Sequence, residues 1–262
     1  MKRVHSRENP LFKSLHRLAT SSRERRERRA ALLDGPHLVE AFAAHGGTAE
    51  AVVASESGLA HPEARRLLES VPAHSRAIFD DRLFADIAQV TTPVGILAWV
   101  TVPDPGPPPS ASFDCVLLEA IQDAGNLGSI LRTAAAAGVR EVCLSKGSAF
   151  AWSPKVLRAG QGAHFGLAIR ENVALVEVLA AFKGAVVATE PGAPVSVFDL
   201  DLRGPVAWIF GNEGAGISGA LADQATHQAH IPMPGGAESL NVAAAAAVCL
   251  FEAVRQRTRG AR

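Results

Sequence analysis

Three short segments of this chain gather side chains that can hold a ligand and handle a proton. In the first, Gln122-Asp123-Ala124-Gly125-Asn126 makes a turn into a helix that carries Arg132 six residues after Asn126. A helix cap at Asn126 and a surface position for Arg132 would explain the same residues without chemistry. The second runs from Phe210 to Ser218 and places Gly211, Gly214 and Gly216 around a lone Glu213. Glycines at that density let a ligand approach the backbone closely, although a flexible turn is the plainer reading. The third, Ile231-Pro232-Met233-Pro234 through Ser239-Leu240-Asn241, is stiffened by two prolines. Ser239 or Asn241 can cap the helix expected from Val242 to Arg257. Taken singly, none of the three specifies a reaction.

Several familiar chemistries lack their residues. There is no Gly-Lys-Ser or Gly-Lys-Thr phosphate loop, and no G-x-G-x-x-G follows the first strand of either half. No G-x-S-x-G elbow or H-E-x-x-H helix is present. His227 and His230 flank a strand as an ordinary, partly exposed pair, and no metal is expected. Cys115, Cys143 and Cys249 lie far apart in apolar stretches and read as reduced core residues.

Each loop must sit on a scaffold, and hydrophobic patterning supplies one. Apolar runs at Cys115–Leu118, Glu141–Leu144, Ala185–Ala188 and Val206–Phe210 alternate with Ala-rich or amphipathic helices, the pattern of a mostly parallel sheet covered on both faces. In such sheets ligands bind at the carboxyl ends of the strands, where the loops fall. Upstream, strands at Ala51–Ala54 and Val94–Val100 alternate with helices at Pro36–His45, Pro62–Glu69 and Asp81–Ala88, which makes a small α/β domain. Residues 103–112 hold five of the 16 prolines and read as a linker. The expected division is a basic arm (1–29), a small domain (30–102), the linker and a second domain (113–262).

The 262 residues are 48% hydrophobic and 20% charged, enough apolar mass for a real core. The longest apolar run, Val242–Phe251, is half of what a membrane span requires, and no signal core follows the charged N-terminus, so a cytoplasmic location is expected. A formal net charge of zero hides an asymmetry: residues 1–29 hold ten Lys or Arg against three Glu. That +7 segment is either a solvated helix or a phosphate-binding surface.

The ordered set N-x-G-x-I-x-R-T-A, G-N-E-G-x-G-I-S and I-P-M-x(5)-S-L-N-V, followed by a helix ending F-E-A-V-R-Q-R, closely resembles the TrmH/SpoU family of RNA ribose 2′-O-methyltransferases. The resemblance spans nearly the whole chain. Ser6-Arg7-Glu8-Asn9-Pro10-Leu11-Phe12-Lys13 and Leu32-Leu33-Asp34-Gly35-Pro36-His37-Leu38-Val39-Glu40 are similar to the branch that methylates guanosine in 23S rRNA. Two mild departures are Ala124, where many relatives have Pro, and Asp34, where they have Glu. The resemblance implies an α/β fold of the SPOUT type, with a trefoil-knotted, mostly parallel sheet flanked by helices and a small α/β substrate-binding domain before it.

It further implies S-adenosylmethionine as methyl donor, held at Gly211, Ile231 and Leu240, a homodimer joined through the last helix, and RNA as substrate. Ribosomal RNA is the expected class, because of the small domain; transfer RNA is the alternative, and a non-catalytic RNA-binding factor is a third reading. Carried over residue by residue, the active-site positions are Asn126, Arg132, Glu213, Ser239 and Asn241. A guanidinium is effectively always protonated, so Arg132 suits a clamp on the phosphate beside the target ribose better than a general base. Glu213 would orient Arg132 or the hydroxyl, and the three neutral residues would supply hydrogen bonds.

Overall fold

A computed structural model describes residues 2–106 and 113–260. In chain order its elements are β1 (Lys2–Val4), α1 (Pro10–Thr20), α2 (Ser22–Glu27), β2 (Ala30–Asp34), α3 (Pro36–Ala44), β3 (Ala51–Ser55), α4 (Pro62–Ser70), β4 (Arg76–Phe79), α5 (Asp81–Ile87) and β5 (Ile96–Thr101). They continue with β6 (Cys115–Leu118), α6 (Ala124–Ala136), β7 (Glu141–Leu144), α7 (Pro154–Gly160), β8 (Ala168–Arg170), α8 (Leu175–Ala180), β9 (Ala185–Thr189), β10 (Val195–Ser196), β11 (Val206–Phe210), α9 (Gly219–Ala222), β12 (His227–His230) and α10 (Val242–Gly260). The chain forms two compact units, Met1–Pro103 with Trp152–Phe165, and Asp104–Ala151 with Gly166–Arg262.

The first unit is built on a five-stranded sheet of order β1-β4-β3-β5-β2, in which β1, β4 and β3 run parallel and β5 is antiparallel to both β3 and β2. Here the expectation of a separate basic arm is corrected. β1 pairs with β4, and α1 buries Phe12, Leu15 and Leu18 at a helical spacing against Leu32, Val53 and Phe79. Asn9 caps α1 by accepting from Leu11 N at 2.9 Å, and Ser21 caps α2 by accepting from Glu24 N at 3.1 Å. Even one of the arginines is internal: Arg25 is buried and donates to the last carbonyls of α1, those of Leu18 and Ala19. The apolar packing of α1 outweighs its charged outer face, which is why the segment folds inward.

The boundary within the second half also differs from the expectation. Trp152–Phe165, which contains α7, belongs to the first unit. Phe165 meets the Phe42 ring edge-on at 5.2 Å, and His37 Nε2 lies 3.2 Å from the Gln161 carbonyl. Gly162, at φ 85°, packs so closely that a Cβ there would sit 2.8 Å from the Ala41 side chain. Most of the proline-rich linker, residues 107–112, lies outside the described residues.

The second unit contains a seven-stranded, entirely parallel sheet of order β10-β12-β9-β11-β6-β7-β8. Its central strands β6 and β11 are buried at every position, as their uninterrupted apolar sequences require when helices cover both faces. Cys115, Cys143 and Cys249 are buried free thiols, and burial pushes the pKa of each upward. No helix among the described residues is long and apolar enough to cross a membrane.

Candidate active site

The three loops follow β6, β11 and β12 and meet at the carboxyl edge of the second unit's sheet. After β6 the ladder continues for one bond, Glu119 N to the Phe210 carbonyl at 2.9 Å, and the chain then turns through Ala120 at φ 52°. Asp123 caps α6 by accepting from Asn126 N at 2.7 Å. The cap therefore belongs to Asp123, which leaves the Asn126 side chain free for other partners.

After β11, Gly211 is held so tightly that a Cβ would lie 2.2 Å from the carbonyl carbon of Gly216. No other residue fits there. Asn212 shapes the rest of the loop: its Oδ1 accepts from Gly214 N and Ala215 N, both at 2.9 Å, and its Nδ2 donates to the Ala120 carbonyl at 2.8 Å. Glu119 adds a second tie between the first two loops by accepting from Ser218 N at 2.7 Å. Both residues escaped the sequence reading; the Asn beside Glu213 in G-N-E-G was the available signal, since Asn characteristically organises turns.

Asn241 caps α10, accepting from Ala243 N at 2.9 Å and Ala244 N at 3.3 Å. Because α10 packs on α6, the same cap reaches the first loop, where Asn241 Nδ2 donates to Asn126 Oδ1 at 2.9 Å. Asn126 Nδ2 in turn donates to Glu213 Oε1 at 3.1 Å. A carboxylate only accepts, which fixes the direction of this Glu213–Asn126–Asn241 chain. Glu213 also accepts from Gln122 N and Asp123 N, each at 3.3 Å. Burial alone would raise its pKa, but these donors, with its own backbone N–H, hold it below the ordinary glutamate range.

A cavity of about 540 Å³ opens beside this chain, within the usual range for a small-molecule site. Gly211, Ile231 and Leu240 line it, together with Glu213, Ser239 and Asn241. Asn126 bonds to two of those lining residues without lining the cavity itself. Arg132 stands apart: it is exposed on α6, outside the cavity lining, and has no hydrogen bond or ion pair among the described residues. Six residues along a helix turn it about 120° from Asn126, and Glu213 is engaged with Asn126 instead of Arg132. Ser239 is exposed at the rim and leaves the capping of α10 to Asn241. Among the described residues no group of three or more His, Cys, Asp or Glu side chains is placed to hold a metal ion.

The model of the SpoU rRNA methylase family matches residues 115–251, the segment that carries all three loops. The chain belongs to this family. It is 36% identical over 260 residues to the uncharacterized tRNA/rRNA methyltransferase slr1673 of Synechocystis sp., covering 97% of this chain and 94% of that protein. It is 33% identical over 256 residues to the 23S rRNA (guanosine(2553)-2′-O)-methyltransferase RlmP of Bacillus subtilis, covering 96% and 98%. Among solved structures, the SpoU methyltransferase AviRb from Streptomyces viridochromogenes in complex with AdoMet superposes with a TM-score of 0.83 at 28% identity, over 96% of this chain and 100% of that one.

Proposed function

We propose that the chain transfers a methyl group from S-adenosylmethionine to a ribose 2′-hydroxyl of RNA, with ribosomal RNA as the substrate class and the cytoplasm as its place of action. The observation that carries this reading is the Glu213–Asn126–Asn241 chain at the edge of a cavity lined by Gly211, Ile231 and Leu240. The cofactor fits the residues present. Gly211 keeps the strand end free of any side chain, and exposed apolar surface at Leu240 with the Ile231 backbone suits an adenine. When bound, S-adenosylmethionine supplies an electrophilic methyl on a sulfonium sulfur.

The chain's own residues then have the 2′-oxygen to align and its proton to remove. Glu213 is a positioning residue: its charge ties the first loop to the second, and a remaining lone pair on Oε2 can accept from the ribose hydroxyl. Asn126 transmits that position to Asn241, and Ser239 at the rim offers a neutral hydrogen bond. All five donors of Arg132 are left for RNA. It grips the phosphate beside the target ribose and stabilises the forming alkoxide, while the phosphate or a water takes the proton.

The protein acts as a homodimer joined through α10. Phe251 is 47% exposed and shares a face with exposed Ala244, one heptad earlier, so an apolar stripe stands open on that helix. We infer too that the segment from Gly211 to Arg262 threads a loop of the chain and makes a trefoil knot. The first unit supplies RNA contacts, although fewer than its charge suggests, because Arg3, Arg7, Lys13, Arg23 and Arg28 are already in ion pairs with Glu56, Asp86, Glu8, Glu27 and Glu24. The test is to incubate the protein with labelled S-adenosylmethionine and either total rRNA or tRNA, then map the modified nucleotide. Label on a ribose of rRNA is the expected result; label confined to tRNA would move the substrate class, and label on neither would remove the reading.

A further inference from the structure

Two carboxylates line the cavity, and the protein uses only one of them. Glu213 accepts the donors described above, whereas the side chain of Glu190 has neither a hydrogen bond nor an ion pair among the described residues. No lysine or arginine lines the cavity to meet it.

Its backbone, by contrast, is firmly held. Glu190 N donates to the Ala229 carbonyl at 3.0 Å, which prolongs the β9–β12 ladder by one residue. Glu190-Pro191-Gly192-Ala193 then closes a tight turn, with Ala193 N donating to the Glu190 carbonyl at 3.4 Å. Pro191 fixes its own φ, and Gly192 takes φ 79°, the left-handed value that the third position of such a turn demands. A free carboxylate is thus presented to the cavity from a rigid point.

Sheet order shows what that point faces. β9 lies between β12 and β11, and β6 follows β11. Along the carboxyl edge the order is therefore Ile231, Glu190, Gly211 and then the Asn126–Glu213 pair. With adenine at Ile231 and Leu240 and the transferred methyl facing Asn126 and Glu213, the ribose that joins them passes Glu190. We propose that Glu190 is a cofactor-positioning residue whose two carboxylate oxygens accept hydrogen bonds from the 2′- and 3′-hydroxyls of the S-adenosylmethionine ribose. The assignment rests on the cofactor position proposed above. Acidic residues at strand ends hold ribose hydroxyls in dinucleotide-binding folds for the same physical reason, that a carboxylate offers paired acceptors to a vicinal diol.

Calorimetric titration tests this without turnover. For wild type, Glu190→Gln and Glu190→Ala, affinities are measured for S-adenosylhomocysteine, its 2′,3′-dideoxy analogue and 5′-methylthioadenosine, with thermal melting to show that the variants fold. Glu190→Ala should lose roughly 10- to 100-fold in affinity for S-adenosylhomocysteine, the scale of charge-assisted hydrogen bonds, and Glu190→Gln a smaller factor. The loss should persist with 5′-methylthioadenosine, which keeps the ribose and lacks the amino acid, and vanish with the dideoxy analogue. A loss that disappears with 5′-methylthioadenosine would mean the carboxylate meets the ammonium group, and the proposal would fall. Unchanged affinity in folded Glu190→Ala would remove the assignment alone, while a wild type that binds none of the three ligands would remove the cavity reading with it.

Discussion

The basic N-terminal segment and the three-loop edge of the parallel sheet both concentrate polar side chains, yet the fold uses them in opposite ways. In residues 2–29 the charges that suggest a phosphate surface are largely taken up within the first unit: five are ion-paired and Arg25 is buried as the cap of α1. At the loop edge, residues that read as ordinary turn and cap positions form one connected arrangement. Asn241 caps α10 with one end of its amide and reaches Asn126 with the other. Charge density in the first region therefore goes largely into the fold's own ion pairs, and in the second a helix cap also joins a longer hydrogen-bond chain.

The comparison breaks most sharply at Arg132, a cation that has no partner among the described residues of the second unit. Arg132→Ala should lower turnover by about 10²-fold or more, the scale of one lost transition-state donor, with S-adenosylhomocysteine affinity unchanged by calorimetry. Equal losses in both measurements would make it a cofactor-binding residue.

A smaller effect is expected at Asn126, where the loop edge is held together. Asn126→Ala removes the donor to Glu213 and the acceptor for Asn241, and should lower turnover roughly tenfold, with a loss of about 1 kcal/mol in stability from hydrogen bonds at a partly exposed site. The pH dependence carries a sign. Glu213 is held below its unfolded value, so its contribution to stability is complete above the ordinary glutamate range and is lost as pH falls through the folded value. In Asn126→Ala that acid limb should move to higher pH in thermal melts; an unmoved limb would show that Asn126 does not hold the Glu213 charge.

How much of the molecule is legible in its sequence follows from the same contrast. The strands Cys115–Leu118, Glu141–Leu144 and Val206–Phe210 stand where the apolar runs place them, because a parallel sheet buried on both faces writes itself as unbroken apolar sequence. β1 and α1 are hidden by their charge, since the three apolar residues that bury α1 are outnumbered by polar ones on its outer face. The place of α7 in the first unit depends on Phe42 and Ala41 meeting residues more than 100 positions away, which no local pattern encodes. Within the site, Gly211, Asn212 and Glu213 share one visible motif and Asp123 stands in a turn that announces a helix start, whereas Glu119 acts by accepting from the Ser218 backbone N–H 99 residues away, which no local pattern marks.

The smallest effect belongs to the basic segment. Lys2, Arg17 and Arg29 are exposed cations of the segment with no ion pair among the described residues, and deleting the segment would remove core residues along with charge. Replacing all three by Gln should leave the fold intact and lower the salt slope of RNA binding by about 2 to 3, near 0.7 to 0.9 for each phosphate no longer neutralised. An unchanged slope would show that the segment serves the fold alone.

The central claim is that the acceptor is a ribose hydroxyl. Once the modified nucleotide is mapped, an RNA with a single 2′-deoxyribose at that position should bind as the unmodified RNA does and take up no methyl group from labelled S-adenosylmethionine. Methylation of the deoxy substrate at the normal rate would place the methyl on a base atom and contradict the account.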